Sequence, residues 1–149
     1  MRAETKENND RIQSGIYQLV LDPQETYGPP PIKTEVPFIN FAPLKNAIAQ
    51  LNEASRDYLS RANSSASESE NRQLYLSERR LTQESGLPGR PWFTHHIYAP
   101  GFYTGYGVKT IPGVREAIEQ REFSLAEDEI YTAAEVIQSM AEHINQLSQ

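Results

Sequence analysis

The sequence feature that most constrains the fold is a long helical repeat of apolar residues near the end of the chain. Between residues 124 and 147, small and aliphatic side chains recur every three or four positions, which is the spacing of one face of an α-helix. Ser124 and Glu127 have the spacing of a capping box and predict where this helix begins. Alanines are mixed with larger aliphatic residues, so a second helix can approach closely, as in a helix bundle. The repeat consists of Ala126, Ile130, Ala133, Ala134, Ile137, Met140, Ala141, Ile144 and Leu147.

Other stretches with helical spacing supply partners for this helix. One begins near Asn40, a good N-cap residue, and carries a single apolar stripe about five turns long. The Ser-rich residues 63–70 that follow it are interpreted as a turn between antiparallel helices. We therefore predict an all-α fold, a four-helix bundle. The predicted long helices are Arg2 to Val20 (stopped by Asp22-Pro23), Asn40 to Ala62, Ser69 to Ser85 and Ser124 to Leu147, and a short helix is predicted from Val114 to Gln120.

Residues 23–43 are rich in proline and include the run Pro29-Pro30-Pro31. Proline fixes φ and removes a backbone donor, which predicts an extended segment. Val36, Phe38, Ile39 and Phe41 give this segment apolar side chains to bury. We expect an ordered strap that lies over other structure.

The character of the sequence changes between Gly86 and Gly113. These residues, here called the docking loop, hold six of the eight glycines, and residues 92–106 hold six of the 14 aromatic residues. A long irregular loop in a compact domain is usually functional or packed against something. It either covers one end of the bundle or contacts a partner, and we expect a short strand from Phe93 to Tyr98. The candidate interface residues are Trp92, Phe93, His95, Tyr98, Phe102 and Tyr103.

Composition excludes several classes of function. The chain of 149 residues has a formal charge of −6 and a pI near 5.1, which argues against a nucleic-acid-binding surface. It has no cysteine, and it shows neither a leader nor a stretch apolar enough to cross a membrane. We expect residues 1–149 to form one domain without membrane contact.

Signals for catalysis are poor. His95 and His96 are adjacent, so in a strand they point to opposite faces and cannot bind one metal ion together. His143 lies in the last helix without metal-ligand spacing, and the acidic residues 127–129 suit the start of a helix. We therefore predict no catalytic residue, metal site or cofactor in this chain.

A longer motif resembles a known family. The run from Ser85 to Pro100, SGLPGRPWFTHHIYAP, is followed by Tyr106 and by Ile111-Pro112-Gly113. This pattern resembles the C-terminal helical domain of the glutamate carboxypeptidase II family, which is the transferrin receptor-like dimerisation domain. The pair Glu78-Arg79 and the residues 131–134 extend the resemblance to most of the chain.

The resemblance implies the fold and the partners. Members of the family are homodimers in which this helical domain packs on a protease domain and on the partner subunit. Two zinc ions and the general base lie in that separate protease domain, so the chain would be a dimerisation domain that is not catalytic alone. The parent would be a zinc-dependent metallopeptidase, secreted or anchored in a membrane.

The resemblance also implies one substrate contact. In the family, a Lys-Tyr pair of this loop binds the C-terminal glutamate of the substrate, and the tyrosine falls on Tyr106. The lysine falls on Gly105, which removes a charge-assisted contact and puts a preference for glutamate in doubt. Lys109 is close in the sequence and is a candidate to replace the missing lysine. The alternative to a substrate contact is that Tyr106 has a purely structural role.

Two other functions remain open at this stage. The aromatic loop could make the chain a free-standing module that binds a small ligand or a peptide. A small metalloenzyme that uses His95 or His96 is the other alternative.

Overall fold

The computed structural model describes residues 1–19, 24, 28–61 and 67–148. The chain divides into two compact units, Met1–Phe38 and Ile39–Gln149. The prediction of a mostly helical protein is confirmed, with a small two-stranded sheet that the all-α prediction did not include. The elements are α1 (Arg2–Gln13), α2 (Ile16–Leu19), α3 (Ala42–Arg61), α4 (Glu68–Leu76), a 3₁₀ turn (Ser77–Leu81), β1 (Tyr98–Pro100), β2 (Val108–Thr110), α5 (Pro112–Gln120) and α6 (Phe123–Leu147).

The first unit contains α1, α2 and an extended proline-rich segment. The predicted helix from Arg2 is interrupted at Gly15, whose φ of +74° is left-handed. Its predicted end at Val20 to Pro23 lies outside the described residues. The buried Asn9 side chain accepts a hydrogen bond from the Lys33 N–H (3.0 Å) and donates one to the Lys33 carbonyl (2.7 Å). A polar residue of α1 therefore holds residues 28–38, whereas Phe38 remains 75% exposed instead of buried as expected.

In the second unit, α3 and α6 pack along their whole length. One hydrophobic cluster joins Leu44 and Ala47, near the start of α3, to residues 130–137 of α6. A second cluster joins Ala54 to Ala141, further along both helices. Because the early residues of α3 meet the early residues of α6, the two helices run in the same direction.

The third predicted helix is shorter than expected. Ser67 caps α4 through a capping box with Glu70, which the sequence analysis did not identify. The α-helix ends at Leu76 instead of Ser85 and tightens into the 3₁₀ turn. The Ser77 hydroxyl donates to the Leu74 carbonyl (2.7 Å) at that point, and such side-chain bonds compete with regular helical geometry. Leu74 packs on the second cluster and Leu81 on the first, so this segment runs opposite to α3 and α6. The predicted Ser-rich turn before it lies partly outside the described residues, at positions 63–66.

The last helix forms close to its predicted bounds, but the prediction that Ser124 and Glu127 form its capping box is wrong. Helix α6 starts at Phe123 with Glu122 in the cap position and without a side-chain cap. Its start is set by the end of α5, where Arg121 is left-handed (φ 65°) and the Glu122 N–H donates to the Ala117 carbonyl (2.8 Å). Ser124 therefore lies inside the first turn instead of before it.

Candidate functional site

The docking loop begins with a compact turn. Gly86 has a φ of +64°, which lets the chain leave the segment after the 3₁₀ turn at a sharp angle. The Leu87 N–H donates to the Phe93 carbonyl (2.8 Å), and the Phe93 N–H donates to the Arg90 carbonyl (3.0 Å). These bonds close residues 87–93 into a small ordered ring.

Arg90 connects this turn to the rest of the second unit. It is only 3% exposed, and its Nη2 lies 2.6 Å from Glu116 Oε2 of α5. Its Nη1 donates to the Pro100 carbonyl, and the guanidinium lies over the rings of Phe93 and Phe102, 5.4 and 5.6 Å from their centroids. Glu116 Oε1 accepts from the Phe102 N–H (2.8 Å). A buried ion pair thus joins three parts of the loop to α5, because its guanidinium also donates a hydrogen bond to the backbone and its carboxylate also accepts one.

Sequence reasoning missed this pair. The sequence marked Arg90 only as a member of the motif from Ser85 to Pro100, and Glu116 only as a member of a short predicted helix. The two residues are 26 positions apart, and nothing in periodicity links positions in a loop with positions in a helix. The only signal was an arginine inside an otherwise aromatic and glycine-rich segment.

A short hairpin forms the outer part of the loop. Strands β1 and β2 are antiparallel, with Ala99 opposite Lys109. The expected strand at Phe93 to Tyr98 is therefore shifted, because strand structure begins at Tyr98. Gly105, with a φ of +64°, lies in the turn between the strands, and its N–H donates to the Gly101 carbonyl (3.1 Å). This turn places Tyr106 in full contact with solvent.

The aromatic residues of the loop separate into two groups. Phe93 and Phe102 flank Arg90 and belong to the framework. Trp92 (72% exposed), Tyr103 (76%) and Tyr106 extend outward, and most of their surface stays exposed although the Trp92 and Tyr103 rings contact those of Phe93 and Phe102. Large apolar side chains in such an exposed position are typical of a surface that meets a partner.

His95 is held at the side of the loop that faces the 3₁₀ turn. Its Nδ1 accepts from the backbone N–H groups of Ile97 and Tyr98 (3.2 Å each), and its ring lies 4.0 Å from the Tyr98 ring. Its Nε2 lies 3.7 Å from Glu78 Oε1, which also accepts from the Tyr98 hydroxyl. Burial lowers the pKa of His95, against an opposing effect of the Glu78 carboxylate. His95 and Tyr98 therefore attach the loop to the 3₁₀ turn.

His96 points in the other direction, as expected for adjacent residues. It is 2% exposed, its N–H donates to the Leu81 carbonyl (3.0 Å), and its Nδ1 lies 3.9 Å from Glu129 Oε2 of α6. Burial lowers the pKa of His96, and the neighbouring His95 adds to the effect. Burial also raises the pKa of Glu129, with a further contribution from Asp128. Within the described residues, no group of three or more histidine and acidic side chains lies close enough to bind a metal ion.

Lys109 is engaged in an ion-pair network and does not point to Tyr106. Its Nζ donates to Glu119 Oε2, and Arg115 Nε lies 3.1 Å from Glu119 Oε1. The hydrogen bond from Lys109 is the main reason why the pKa of Glu119 is lowered. Lys109 joins β2 to α5. It therefore does not replace the lysine that is missing at position 105.

Two grooves lie beside the loop. One of about 230 Å³ adjoins Phe102, Tyr103 and Gly113. The other, of about 350 Å³, lies between the start of α3 and α5 and is lined mainly by apolar side chains, among them Phe41, Leu44, Ile111, Val114 and Ile118. In the part of the chain that the structure describes, no helix has the length and hydropathy needed to cross a membrane.

Comparison with known proteins gives one match to a family. Residues 39–145 match the transferrin receptor-like dimerisation domain. The chain is 49% identical over 49 residues to "Probable glutamate carboxypeptidase LAMP1" of Arabidopsis thaliana, a match that covers 33% of this chain and 7% of that protein. It is 35% identical over 68 residues to "Probable glutamate carboxypeptidase" of Arthroderma benhamiae, covering 41% and 9%. The matched part of this chain thus spans less than a tenth of either relative.

Proposed function

Because the chain belongs to the transferrin receptor-like dimerisation domain family, we propose that it is the helical dimerisation domain of a glutamate carboxypeptidase-like peptidase. In this proposal the chain associates with a second copy of itself, and the docking loop packs on a protease domain of the parent protein. The parent is a zinc-dependent metallopeptidase whose metal ions are held by that protease domain. The chain alone has no catalytic activity.

One observation carries the proposal. The family match begins at residue 39, where the second compact unit begins, and it includes the whole docking loop. Within that unit Trp92 and Tyr103 extend from a framework that Arg90 and Glu116 hold in place. A loop that is internally ordered and outwardly aromatic needs little further ordering when it binds, which favours a protein contact.

The proposal retains the four-helix bundle, the single domain of residues 1–149 and the strap of residues 23–43. Support for the bundle comes from α3 and α6, which share two hydrophobic clusters, and from Leu74 of α4, which packs on the second. Support for the strap comes from the bonds between Asn9 and Lys33.

Tyr106 is proposed as a contact for the substrate of the parent. Its hydroxyl is free to donate a hydrogen bond to a substrate carboxylate, since the side chain is fully exposed. Gly105 supplies no charge, and Lys109 is paired with Glu119. The contact would thus lack a charge-assisted partner from this loop, and we expect the parent to select weakly for a C-terminal glutamate.

Sedimentation of the chain over low to high micromolar concentrations tests self-association. We expect a dimer for the wild type, Trp92→Ala and Tyr103→Ala, because the loop contacts the protease domain rather than the second copy. Tyr75→Ala, which changes an 83% exposed residue of α4, is a matched control outside the loop. Only monomer at several hundred micromolar would contradict autonomous dimerisation.

The docking part of the proposal needs its own measurement. In the full-length parent, Trp92→Ala and Tyr103→Ala should lower the midpoint of thermal unfolding of the protease domain, whereas Tyr75→Ala should leave it unchanged. Equal midpoints for all three variants would contradict docking through the loop.

A free-standing ligand-binding module is the second candidate. The groove beside Tyr103, at about 230 Å³, is smaller than most pockets for small molecules, and this favours docking. Trp92 is the single tryptophan, so its fluorescence reports any ligand that reaches the loop. A saturable change with a sugar or a peptide would favour the second candidate, and a flat response across a ligand panel would exclude it.

A further inference from the structure

The inner side of the docking loop meets three other elements at His96. The backbone N–H of His96 donates to the carbonyl of Leu81, the last residue of the 3₁₀ turn. Its Nδ1 faces Glu129 of α6 at 3.9 Å. The Glu129 carboxyl also lies against Gly113 at the start of α5, where a Cβ would come within 1.9 Å of Glu129 Oε2. The contact thus lies where the loop meets the 3₁₀ turn, α5 and α6.

This junction contains two ionisable side chains that are almost entirely buried. The side chains of His96 and Glu129 are 1% and 11% exposed. The distance of 3.9 Å is too long for a hydrogen bond, and His96 Nε2 has no hydrogen-bond partner among the described residues. An imidazole in this position is tolerated when neutral, whereas an imidazolium would be a buried charge with one long-range partner.

We propose that the His96–Glu129 contact is a pH-sensitive attachment that holds the docking loop on the helices at neutral pH and loosens it in mildly acidic solution. The step is the uptake of one proton by the imidazole of His96 when the loop separates from α6. The attachment would regulate the surface formed by Trp92 and Tyr103, because both residues belong to the same loop.

The sign follows from the direction of each pKa. Burial lowers the pKa of His96, so the attached loop binds the proton less readily than the separated loop. Attachment is therefore complete above the ordinary histidine pKa of about 6.5 and weakens as the pH falls below it. Burial raises the pKa of Glu129, so this carboxyl has the opposite effect and favours attachment as the pH falls.

Other ionisable groups near the junction modify the response. His95 on the same loop disfavours a charge on His96. Glu78 of the 3₁₀ turn faces His95, and Asp128 of α6 disfavours a charge on Glu129. Since burial also lowers the pKa of His95, we expect His95 to add a smaller effect of the same sign.

Hydrogen exchange measures the proposal directly. The Gln83 amide donates to the Thr94 carbonyl and the His96 amide to the Leu81 carbonyl (3.0 Å each). Both bonds join the loop to the segment before it, so the protection factors of these two amides, corrected for intrinsic exchange, report separation of the loop. Between pH 7.5 and 5.5 we expect their protection to fall about two- to tenfold, since one histidine of ordinary pKa contributes at most about tenfold over this range. Amides in the centre of α6 serve as the internal reference and should not change.

Single variants assign the effect to a residue. His96→Gln should show a much smaller fall in protection than the wild type, because only the opposing effects of His95 and Glu129 remain. His143→Gln removes the imidazole of α6, whose Nε2 lies 3.3 Å from the Gln73 carbonyl, and should behave as the wild type. A wild-type loop whose protection is constant between pH 7.5 and 5.5 would overturn the proposal, as would full acid sensitivity in His96→Gln.

A second variant covers the case in which His96→Gln loses its helical circular dichroism. Glu129→Gln removes the carboxyl that opposes the histidine, so the fall in protection on acidification should become steeper than in the wild type. An equal or shallower fall in a folded Glu129→Gln protein would contradict the proposal.

Discussion

At the scale of single residues, the pair formed by Arg90 and Glu116 accounts for the order of the docking loop. Two opposite charges lie beside aromatic rings, and each also forms a hydrogen bond with a backbone group, of Pro100 or of Phe102. Phe93 and Phe102 are the rings that lie beside Arg90, and Trp92 stays exposed outside this framework. The division between framework and contact residues follows from this one arrangement.

Breaking the pair should destabilise the second unit. Arg90→Met leaves the Glu116 carboxylate buried without its cation, which costs about 3–5 kcal/mol. Glu116→Gln should lose less, because the amide oxygen can still accept from the Phe102 N–H. The free energy of unfolding from urea titrations measures both. The double variant Arg90→Met/Glu116→Leu should recover part of the loss of Arg90→Met, and a double variant less stable than Arg90→Met would contradict the pairing.

Two glycines with the same backbone conformation make a matched test of local space. Gly86 and Gly105 both have a φ of +64°. A Cβ at position 105 would meet nothing within 4 Å, whereas at position 86 it would lie 2.2 Å from the Pro91 carbonyl oxygen. Gly105→Ala should cost about 1 kcal/mol for the left-handed conformation alone, and Gly86→Ala about 3 kcal/mol or more. Equal midpoints in urea would show that the close approach at Gly86 relaxes freely.

Sequence reasoning at this scale identified the kinds of residue but not their partners. The opposite orientation of His95 and His96 follows from adjacency, so it was predictable. Which carboxylate each histidine meets depends on how the loop crosses the 3₁₀ turn and α6, and no spacing encodes that path. The same holds for Lys109, whose position near Tyr106 in the sequence did not indicate its partner Glu119.

At the scale of elements, the starts of two helices show that a capping-box sequence pattern does not always form the capping hydrogen bonds. Ser124 and Glu127 match the capping-box pattern, yet Ser124 lies within α6. Ser67 and Glu70 form the two bonds of such a box at the start of α4, at 3.2 and 2.7 Å. At α6, the tight turn that ends α5 sets the start of the helix at Phe123, so Ser124 lies inside the helix.

The two serines therefore predict different costs. Ser67→Ala should destabilise the protein by about 1 kcal/mol, the usual loss of an N-cap, while Ser124→Ala should change it by less than about 0.5 kcal/mol. Thermal unfolding followed by circular dichroism compares the two variants under one condition. A larger loss for Ser124→Ala would mean that α6 is capped by its side chain after all.

The long helices were predictable because periodic burial dominates them, and α3 and α6 lie close to the expected bounds. The segment after α4 was not, since its tightening depends on a hydroxyl bond and on a loop that packs beside it. The hairpin of β1 and β2 escaped prediction because three-residue strands carry no usable period. The family resemblance, which the match of residues 39–145 confirms, predicted neither the hairpin nor the 3₁₀ turn.

At the scale of the whole molecule, the hydrophobic clusters belong to the second unit alone. All of their members lie between Ile39 and Leu147. We therefore expect a chain of residues 39–149 to unfold cooperatively, with the helical circular dichroism of α3 to α6. A broad, non-cooperative urea transition for this shorter chain would show that residues 1–38 are needed for folding.

The parallel run of α3 and α6 has a consequence for biosynthesis. Ala54 meets Ala141, so α3 cannot cover its apolar stripe until α6 has left the ribosome. At about 5–20 residues per second, this wait lasts several seconds. During that time a nascent chain exposes an aliphatic helix with nothing to pair with, which makes this stage the one at which a chaperone would bind.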